Sequence, residues 1–140
     1  MRPLHSSDER RLQEFFYSHN AETLMLRYRH QPKQMSREKA HSLVNVDQRR
    51  DLALSLTERQ GPKQEIHAEG RYFFLDKENL AEVAFVVRET KRGSGMATVL
   101  VCQMMKIAKK GELPKCWLMF AVITRRCCTF SKITICPSAF

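Results

Sequence analysis

The chain has 140 residues, of which 43% are hydrophobic and 28% are charged. This balance is typical of one globular domain and excludes wholesale disorder. No apolar run reaches the ~20 residues of a membrane helix, and the first nine residues lack the apolar region of a secretory signal. Five cysteines without an export signal predict reduced thiols and a cytoplasmic location.

The formal net charge is +9, and the excess is unevenly distributed. Residues 1–112 hold 20 basic and 15 acidic residues, whereas residues 113–140 hold four basic and no acidic ones. The second segment also contains the only tryptophan and four of the five cysteines. We therefore predict one domain over 1–112 and an atypical tail over 113–140. A small basic nucleic-acid-binding protein is the weaker alternative, because aromatic and basic residues do not interleave.

The first part of the chain is predicted to be helical. Ser6 or Ser7, followed by two acidic residues, is typical of a helix start, and the apolar spacing that follows predicts a helix over 7–19. A second short helix is predicted from Ala21 to Arg29, and Ser36 caps a third helical run.

The apolar pattern then changes from helical to alternating. Strands are predicted over 51–57, 65–75 and 80–87. The first of them is expected to be half-buried, and 76–79 is a tight connection. A polar loop over 88–93 precedes a helix predicted over 94–110. Helices followed by an antiparallel meander and a strand–loop–helix unit predict an α+β (mixed α/β) domain.

The loop before the last predicted helix carries the most informative motif, Arg92-Gly-Ser-Gly-Met-Ala97. Glycines allow a ligand to approach the backbone closely, and the N–H groups at a helix N-terminus form an anion site. The motif lacks the Lys-Ser/Thr ending of a Walker loop and the third glycine of a dinucleotide fingerprint. By itself it also fits a plain strand-to-helix turn.

Strand Glu82 to Val87 and the loop together resemble the acetyl-CoA-binding segment of the GNAT superfamily of N-acetyltransferases. Arg92, Gly95 and Ala97 match the three marked positions of that family's Gln/Arg-x-x-Gly-x-Gly/Ala pattern. The segments that resemble the Pat-like protein acyltransferases lie upstream: Arg2 to Leu4, Leu12 to Phe16, Leu26 to Arg29 and Asp47 to Leu54. The resemblance covers about residues 2–112. It implies a GNAT fold, with a central, mostly antiparallel sheet flanked by helices and incomplete at the C-terminus.

The resemblance implies acetyl-CoA as co-substrate and an amine, such as a protein lysine, as acceptor. It implies that the pantetheine arm pairs with the backbone of Phe85, Val86 and Val87. The diphosphate would lie on the loop and the first helical turn, formed by Arg92, Gly93, Ser94, Gly95, Met96, Ala97 and Thr98. A solvated surface charge is the alternative interpretation of Arg92 alone.

The Pat-like resemblance places the catalytic carboxylate at Glu82. A lysine amine, with an ordinary pKa of about 10.4, must lose a proton before it attacks a thioester. Partial burial disfavours the charged form of a carboxylate, which suits a general base. A solvent-facing residue of an alternating strand is the alternative interpretation of Glu82, and a non-catalytic CoA-binding remnant is the alternative function.

The histidines and cysteines predict no metal site. The five histidines lack the paired spacing of metal ligands, and we expect surface or helix-capping roles for them: His5, His19, His30, His41 and His67. Cys127 and Cys128 lack a Cys-x-x-Cys partner.

The tail departs from the family pattern, which continues with another strand and a motif containing asparagine. Read one base out of frame, permitted codons within Gly111 to Cys128 give Tyr-Val-Arg-Arg-Asp-Asn-Thr-Pro-Met-Leu, which is similar to that continuation. We therefore predict that residues after about Glu112 are translated out of frame. We also expect Cys116 to Thr124 to form a strand, and Phe130 to Phe140 to lack a partner.

Overall fold

The computed structural model describes residues 1–28, 34–47, 50–75, 80–110, 117–122 and 130–133. The predicted connection over 76–79, His30 and the tail beyond two short strands lie outside these residues. Within the described ranges, none of the helices combines the length and the apolar character needed to cross a membrane.

The helices and strands follow the order that the sequence predicts. The helices are α1 (Glu9–Tyr17), α2 (Ala21–Tyr28), α3 (Arg37–Val44) and α4 (Met96–Lys109). The strands are β1 (Arg2–Pro3), β2 (Leu52–Gln60), β3 (Lys63–Leu75), β4 (Leu80–Val87), β5 (Trp117–Val122) and β6 (Phe130–Ile133). Short 3₁₀ turns over Ser6–Asp8 and Glu89–Lys91 precede α1 and α4.

The N-terminal helical segment has a different cap from the one predicted. The residue before the 3₁₀ turn is His5, whose Nδ1 accepts the Ser7 N–H at 3.3 Å. The Asp8 carboxylate accepts the N–H of His5 in return at 3.0 Å. The predicted serine cap is therefore wrong, because the imidazole occupies the capping position and α1 begins only at Glu9.

The six strands form one sheet in the order β1-β2-β3-β4-β5-β6. Every neighbouring pair is antiparallel except β4 and β5, which α4 connects as a parallel crossover. The mixed α/β fold with a mostly antiparallel sheet is thus confirmed. The expectation that residues from Phe130 onward lack a partner is wrong for Phe130–Ile133, which pairs with β5. This pairing is possible because main-chain groups at a sheet edge can pair with any chain of suitable geometry.

Helices cover both faces of the sheet. The α4 face has a core of buried residues that comprises Leu52, Leu54, Ala68, Tyr72, Val83, Phe85, Leu100 and Met104. The opposite face packs against α1–α3 through Leu4, Leu12, Phe15, Phe16, Met35, Ala40, Val44, Ala53, Ile66 and Val86. The prediction of a half-buried first strand is therefore wrong, because the small residues Ala53 and Ser55 are buried beneath the helical layer.

Asp8 joins the chain terminus to α1. Its fully buried carboxylate binds the guanidinium groups of Arg2, at 2.6 Å and 2.7 Å, and of Arg11, at 2.8 Å. Burial alone raises the pKa of Asp8, but the hydrogen bonds from Arg2, Arg11 and the His5 N–H outweigh it and lower the pKa to about 2. The ionised carboxylate therefore stabilises the folded state.

We predict that this carboxylate makes the free energy of unfolding depend on pH in acid. A group whose folded pKa is depressed stabilises the fold above its unfolded pKa, near 4, and the contribution is lost as the pH falls towards 2. From the size of the shift, this contribution is about 2 kcal/mol. Urea unfolding between pH 5 and pH 2 should show this loss in the parent and a weaker dependence in Asp8→Asn. Equal losses in the two proteins would exclude this role of Asp8.

Candidate functional site

The end of β4 leads into the glycine loop that the sequence singles out. Gly93 and Gly95 both have a φ of +82°, in the left-handed region that side chains rarely tolerate. A Cβ atom built at either position would meet no atom within 4 Å. The loop therefore has an open side on which a ligand could approach the backbone.

The helix that follows the loop adds further backbone donors. The first intrahelical hydrogen bond is donated by Val99 N–H to the carbonyl of Gly95, at 3.0 Å. The N–H groups of Met96, Ala97 and Thr98 precede it and have no acceptor within the helix. They lie at the positive end of a 14-residue helix. The site suits the oxygen atoms of a phosphate or diphosphate.

Ser94 has a structural role in the loop. Its hydroxyl donates to the carbonyl of Lys91 at 2.6 Å, and its N–H points to the same oxygen at 3.4 Å. Both contacts close the turn between the 3₁₀ segment and α4. Both hydrogen-bond donors of Ser94 are therefore directed to the Lys91 carbonyl, and its predicted contribution to ligand binding stays a prediction.

The side chain of Arg92 points to α2. Its guanidinium donates to the hydroxyl oxygen of Thr23 at 2.5 Å and lies 3.5 Å from Glu89 Oε1. Glu89 Oε1 also accepts the Thr23 hydroxyl at 2.8 Å and the N–H of Asn20 at 3.1 Å. The sequence analysis did not identify Asn20, Thr23 or Glu89, and the only local signal is the three-residue spacing of Glu89 and Arg92.

The other two cations of this segment also have carboxylate partners. Arg88 lies 3.2 Å from Glu65, and Lys91 lies 3.1 Å from Glu58. The hydrogen bond and charge of Lys91 lower the pKa of Glu58, which keeps that carboxylate ionised. Each of the three loop cations is therefore balanced by an acidic side chain.

Two buried histidines flank the loop. Burial contradicts the predicted role for His67, whereas His19 is buried but contacts a carbonyl in the last turn of α1, as a capping residue does. His67 Nε2 lies 3.2 Å from Glu58 Oε2 without hydrogen-bond alignment, and burial and the charges of Arg88 and Lys91 lower the pKa of this imidazole. His19 Nδ1 is 2.6 Å from the carbonyl of Phe15 in a buried setting, and burial lowers its pKa despite the nearby Glu89 charge. Sequence spacing cannot reveal this burial, since it depends on the packing of distant segments.

Near its end, the predicted pantetheine strand pairs with a described strand along one edge only. β4 pairs with β3 through Val87, whereas its register with β5 ends at Phe85, opposite Val122. The Arg88 N–H donates towards β3, to the carbonyl of His67 at 2.8 Å. Because successive strand residues direct their backbone groups to opposite edges, the N–H of Val87 faces the β5 side. Among the described residues, no strand partner occupies that position.

Side chains at the end of β4 belong to the two cores and leave the backbone as the available surface. Phe85 is buried on the α4 face, where its ring lies 2.8 Å from the Cβ position that Gly70 leaves empty. Val86 is buried on the opposite face, against the layer of α1–α3. The predicted role of these residues in ligand binding could therefore come only from their main chain.

Glu82 is half-buried and lies on the helical α1–α3 face of β4. The register pairs it with Phe73, and pairs Ala84 and Val86 with Arg71 and Glu69, so these side chains share one face. The structure thus places Glu82 on the opposite face from α4. This position is compatible with a carboxylate that meets a substrate from the helical side.

A buried ion pair lies on the same face as Glu82. Arg71 and Glu69 are both 1% exposed and in direct contact. Arg71 also donates to the carbonyl of Leu43 at 2.6 Å, and Arg27 lies 4.0 Å from Glu69. The local sequence signal for this cluster is the Glu-x-Arg alternation that precedes the apolar end of β3. Elsewhere in the described ranges, no group of three or more His, Cys, Asp or Glu side chains could hold a metal ion.

The chain matches no protein-family model, and no curated protein sequence matches it significantly. Its structure is similar to the GNAT domain of S. lividans PAT, with a TM-score of 0.72, 22% identity, and coverage of 89% of this chain and 72% of that one. It is also similar to a ribosomal-protein-alanine N-acetyltransferase from Brucella melitensis, with a TM-score of 0.54, 16% identity, and coverage of 89% and 79%.

A third similar structure is a chimera of spermidine N-acetyltransferase SpeG from Vibrio cholerae and hSSAT. Its TM-score is 0.56 at 17% identity, with coverage of 86% of this chain and 69% of that chain. At these identities the likeness concerns the arrangement of the backbone, and it agrees with the resemblance carried by Arg92, Gly95 and Ala97. The chain therefore has the fold of the GNAT acetyltransferases.

Proposed function

We propose that the chain binds acetyl-CoA, or a related acyl-CoA, and transfers the acyl group to an amine. The observation that carries this proposal is the open loop at the end of β4, where two glycines with positive φ precede the N-terminus of α4. The ribosomal-protein-alanine and spermidine acetyltransferases with similar structures are named for amine acceptors. A protein lysine as acceptor is supported by the Pat-like sequence resemblance.

The loop and the adjoining strand would bind different parts of the acyl-CoA. The N–H groups of Gly93 and of Gly95 to Thr98 would hold the diphosphate, since a helix N-terminus and an open backbone favour phosphate oxygens. The N–H of Val87 faces the edge of β4 that no described strand occupies at this position. There it would hydrogen-bond to the pantetheine arm or to the thioester carbonyl oxygen.

The chemical step needs a base and a donor of a hydrogen bond. Glu82 would accept the proton of the attacking amine, directly or through a water molecule. The amine nitrogen would form a bond to the thioester carbon, the bond from that carbon to sulfur would break, and CoA would leave as the thiol after taking up a proton. A backbone N–H at the β4 edge would stabilise the charge on the carbonyl oxygen as it develops.

Two alternatives give different results in binding experiments. A CoA-binding remnant would bind acetyl-CoA and show no turnover with any amine. A nucleic-acid-binding protein would bind with an affinity that falls steeply with salt. The pairing of Arg88, Lys91 and Arg92 with carboxylates argues against the second alternative at this surface.

We predict that Gly95→Glu abolishes acetyl-CoA binding. The parent should bind in the micromolar range, about −8 kcal/mol. The variant places a strained side chain and a negative charge beside the diphosphate position. Gly61→Glu is a matched control, because Gly61 also has a positive φ, +60°, and open space around it, but lies in the β2–β3 turn. Isothermal titration calorimetry should show binding for the control and none for Gly95→Glu. Equal binding by both variants would refute the loop assignment.

We predict that Glu82→Gln lowers kcat for amine acetylation by 10- to 1,000-fold and leaves the Kd for acetyl-CoA unchanged. Glutamine keeps the shape of the side chain but cannot accept the proton at neutral pH. Glu14→Gln removes the same charge from the exposed surface of α1 and serves as the control. Initial rates should be measured from pH 6 to pH 9. A Glu82→Gln protein with the parental rate throughout this range would remove Glu82 from the role of base.

A further inference from the structure

Glu89 joins the candidate ligand loop to the start of α2. One of its carboxylate oxygens accepts the Asn20 N–H at 3.1 Å and the Thr23 hydroxyl at 2.8 Å, and the Arg92 guanidinium lies 3.5 Å from the same oxygen. Thr23 is 2% exposed. Burial by itself raises the pKa of Glu89, but hydrogen bonds from the Asn20 N–H, the Thr23 hydroxyl and its own backbone, with a smaller electrostatic effect of His19, bring it below its ordinary value. Glu89 is therefore an anion next to a loop that favours anions.

Thr23 connects Glu89 to Arg92. Its hydroxyl donates to Glu89 and accepts from Arg92 at 2.5 Å, so the guanidinium is held mainly through this hydroxyl. If Arg92 turned away, Glu89 would keep two hydrogen-bond donors, Asn20 and Thr23. The half-buried carboxylate would therefore keep hydrogen bonds from the protein.

The other two loop cations are bound differently. Arg88 donates both to Glu65, at 3.2 Å, and to the backbone carbonyl of Ile66, at 3.1 Å. Lys91 pairs with Glu58 through side chains that are 35% and 51% exposed, so water already competes for this contact. Arg92 directly precedes Gly93, and of the three cations it lies nearest in the chain to the two glycines of the loop.

We propose that Arg92 binds Glu89 and Thr23 in the absence of ligand, and that it leaves them to bind the diphosphate when an acyl-CoA is present. This inference rests on the proposed acyl-CoA binding. It adds a residue, Glu89, that lowers the affinity for acyl-CoA and favours ligands with more negative charge. A ligand must compete with a fixed carboxylate for the guanidinium. A diphosphate competes better than a single phosphate, because it offers more charge and a fork of oxygens that matches the guanidinium.

The test is a double-mutant cycle on the full chain, with acetyl-CoA, ADP and AMP as calorimetric ligands. In Glu89→Gln the amide oxygen can still accept from Asn20 and Thr23, but the competing charge is removed. We expect this variant to bind acetyl-CoA three- to tenfold more tightly than the parent and to lose part of the parent's preference for ADP over AMP. Arg92→Gln should bind at least tenfold more weakly, and Glu89→Gln should change affinity less than twofold in the Arg92→Gln background.

Glu65→Gln is the matched control, since it removes the carboxylate beside Arg88 instead of the one beside Arg92. We expect less than a twofold change in acetyl-CoA affinity. An increase as large as that of Glu89→Gln would show a general charge effect and overturn the exchange. Weaker or unchanged binding by Glu89→Gln would also overturn it, because Glu89 would then position Arg92 or leave it unaffected.

A measurement on the parent covers the case in which a variant does not fold. On titration with acetyl-CoA, the side-chain N–H resonances of Arg92 should shift strongly in NMR spectra, while the Asn20 amide remains protected from exchange because it stays bound to Glu89. Binding without any change at Arg92 would refute the exchange and leave the proposed function intact. Failure of the parent to bind acetyl-CoA, ADP and AMP alike would instead refute the proposed function together with this inference.

Discussion

Among the described residues, β4 pairs with its two neighbours over different lengths. On one side β3 accompanies β4 to Val87, and on the other side the described part of β5 accompanies it to Phe85. Backbone groups near the end of β4 are therefore held from one edge, and no described strand pairs with them at the other. The parallel β4–β5 pair requires the α4 crossover, which places a helix N-terminus immediately beyond the same strand end. The end of β4 and the N-terminus of α4 are thus brought together by one connection.

The two faces of the sheet differ in whether they contain buried charged residues. The α4 face is an apolar core, whereas the opposite face contains the buried contact between Glu69 and Arg71, with Arg27 nearby. Buried ion pairs contribute little net stability, since the cost of desolvation offsets the attraction. Their value here lies in geometry, because Arg71 joins β3 to the carbonyl of Leu43 at the end of α3. The half-buried Glu82 lies on this polar face, where a charged group and its substrate are better tolerated than on the apolar one.

The sequence was sufficient to predict most of the helices and strands, because the spacing of apolar residues that reveals them is a local property of the chain. The strands over 51–57, 65–75 and 80–87 and the final helix all exist, and the glycine loop lies where its motif predicts. The predictions that failed concerned burial, which depends on contacts between segments far apart in the sequence. Whether Ala53 is buried depends on the helices above it, and the burial of His19 and His67 depends on segments far along the chain. The partner of Arg92 is 69 residues away, so a local pattern predicts the cation but not what it binds.

The net charge of the protein does not by itself show which basic side chains are available to bind an anion. A net charge of +9 suggests a surface ready for anions, yet Arg88, Lys91 and Arg92 are all engaged by carboxylates around the glycine loop. Backbone N–H groups are then the donors that a phosphate meets first, and they have a fixed direction and no charge to neutralise. Such a site distinguishes ligands more by the positions of their phosphate oxygens than by their charge. The net charge of +9 attracts every anion alike at long range, so we expect discrimination among anions to depend on whether a ligand can displace Glu89 from Arg92.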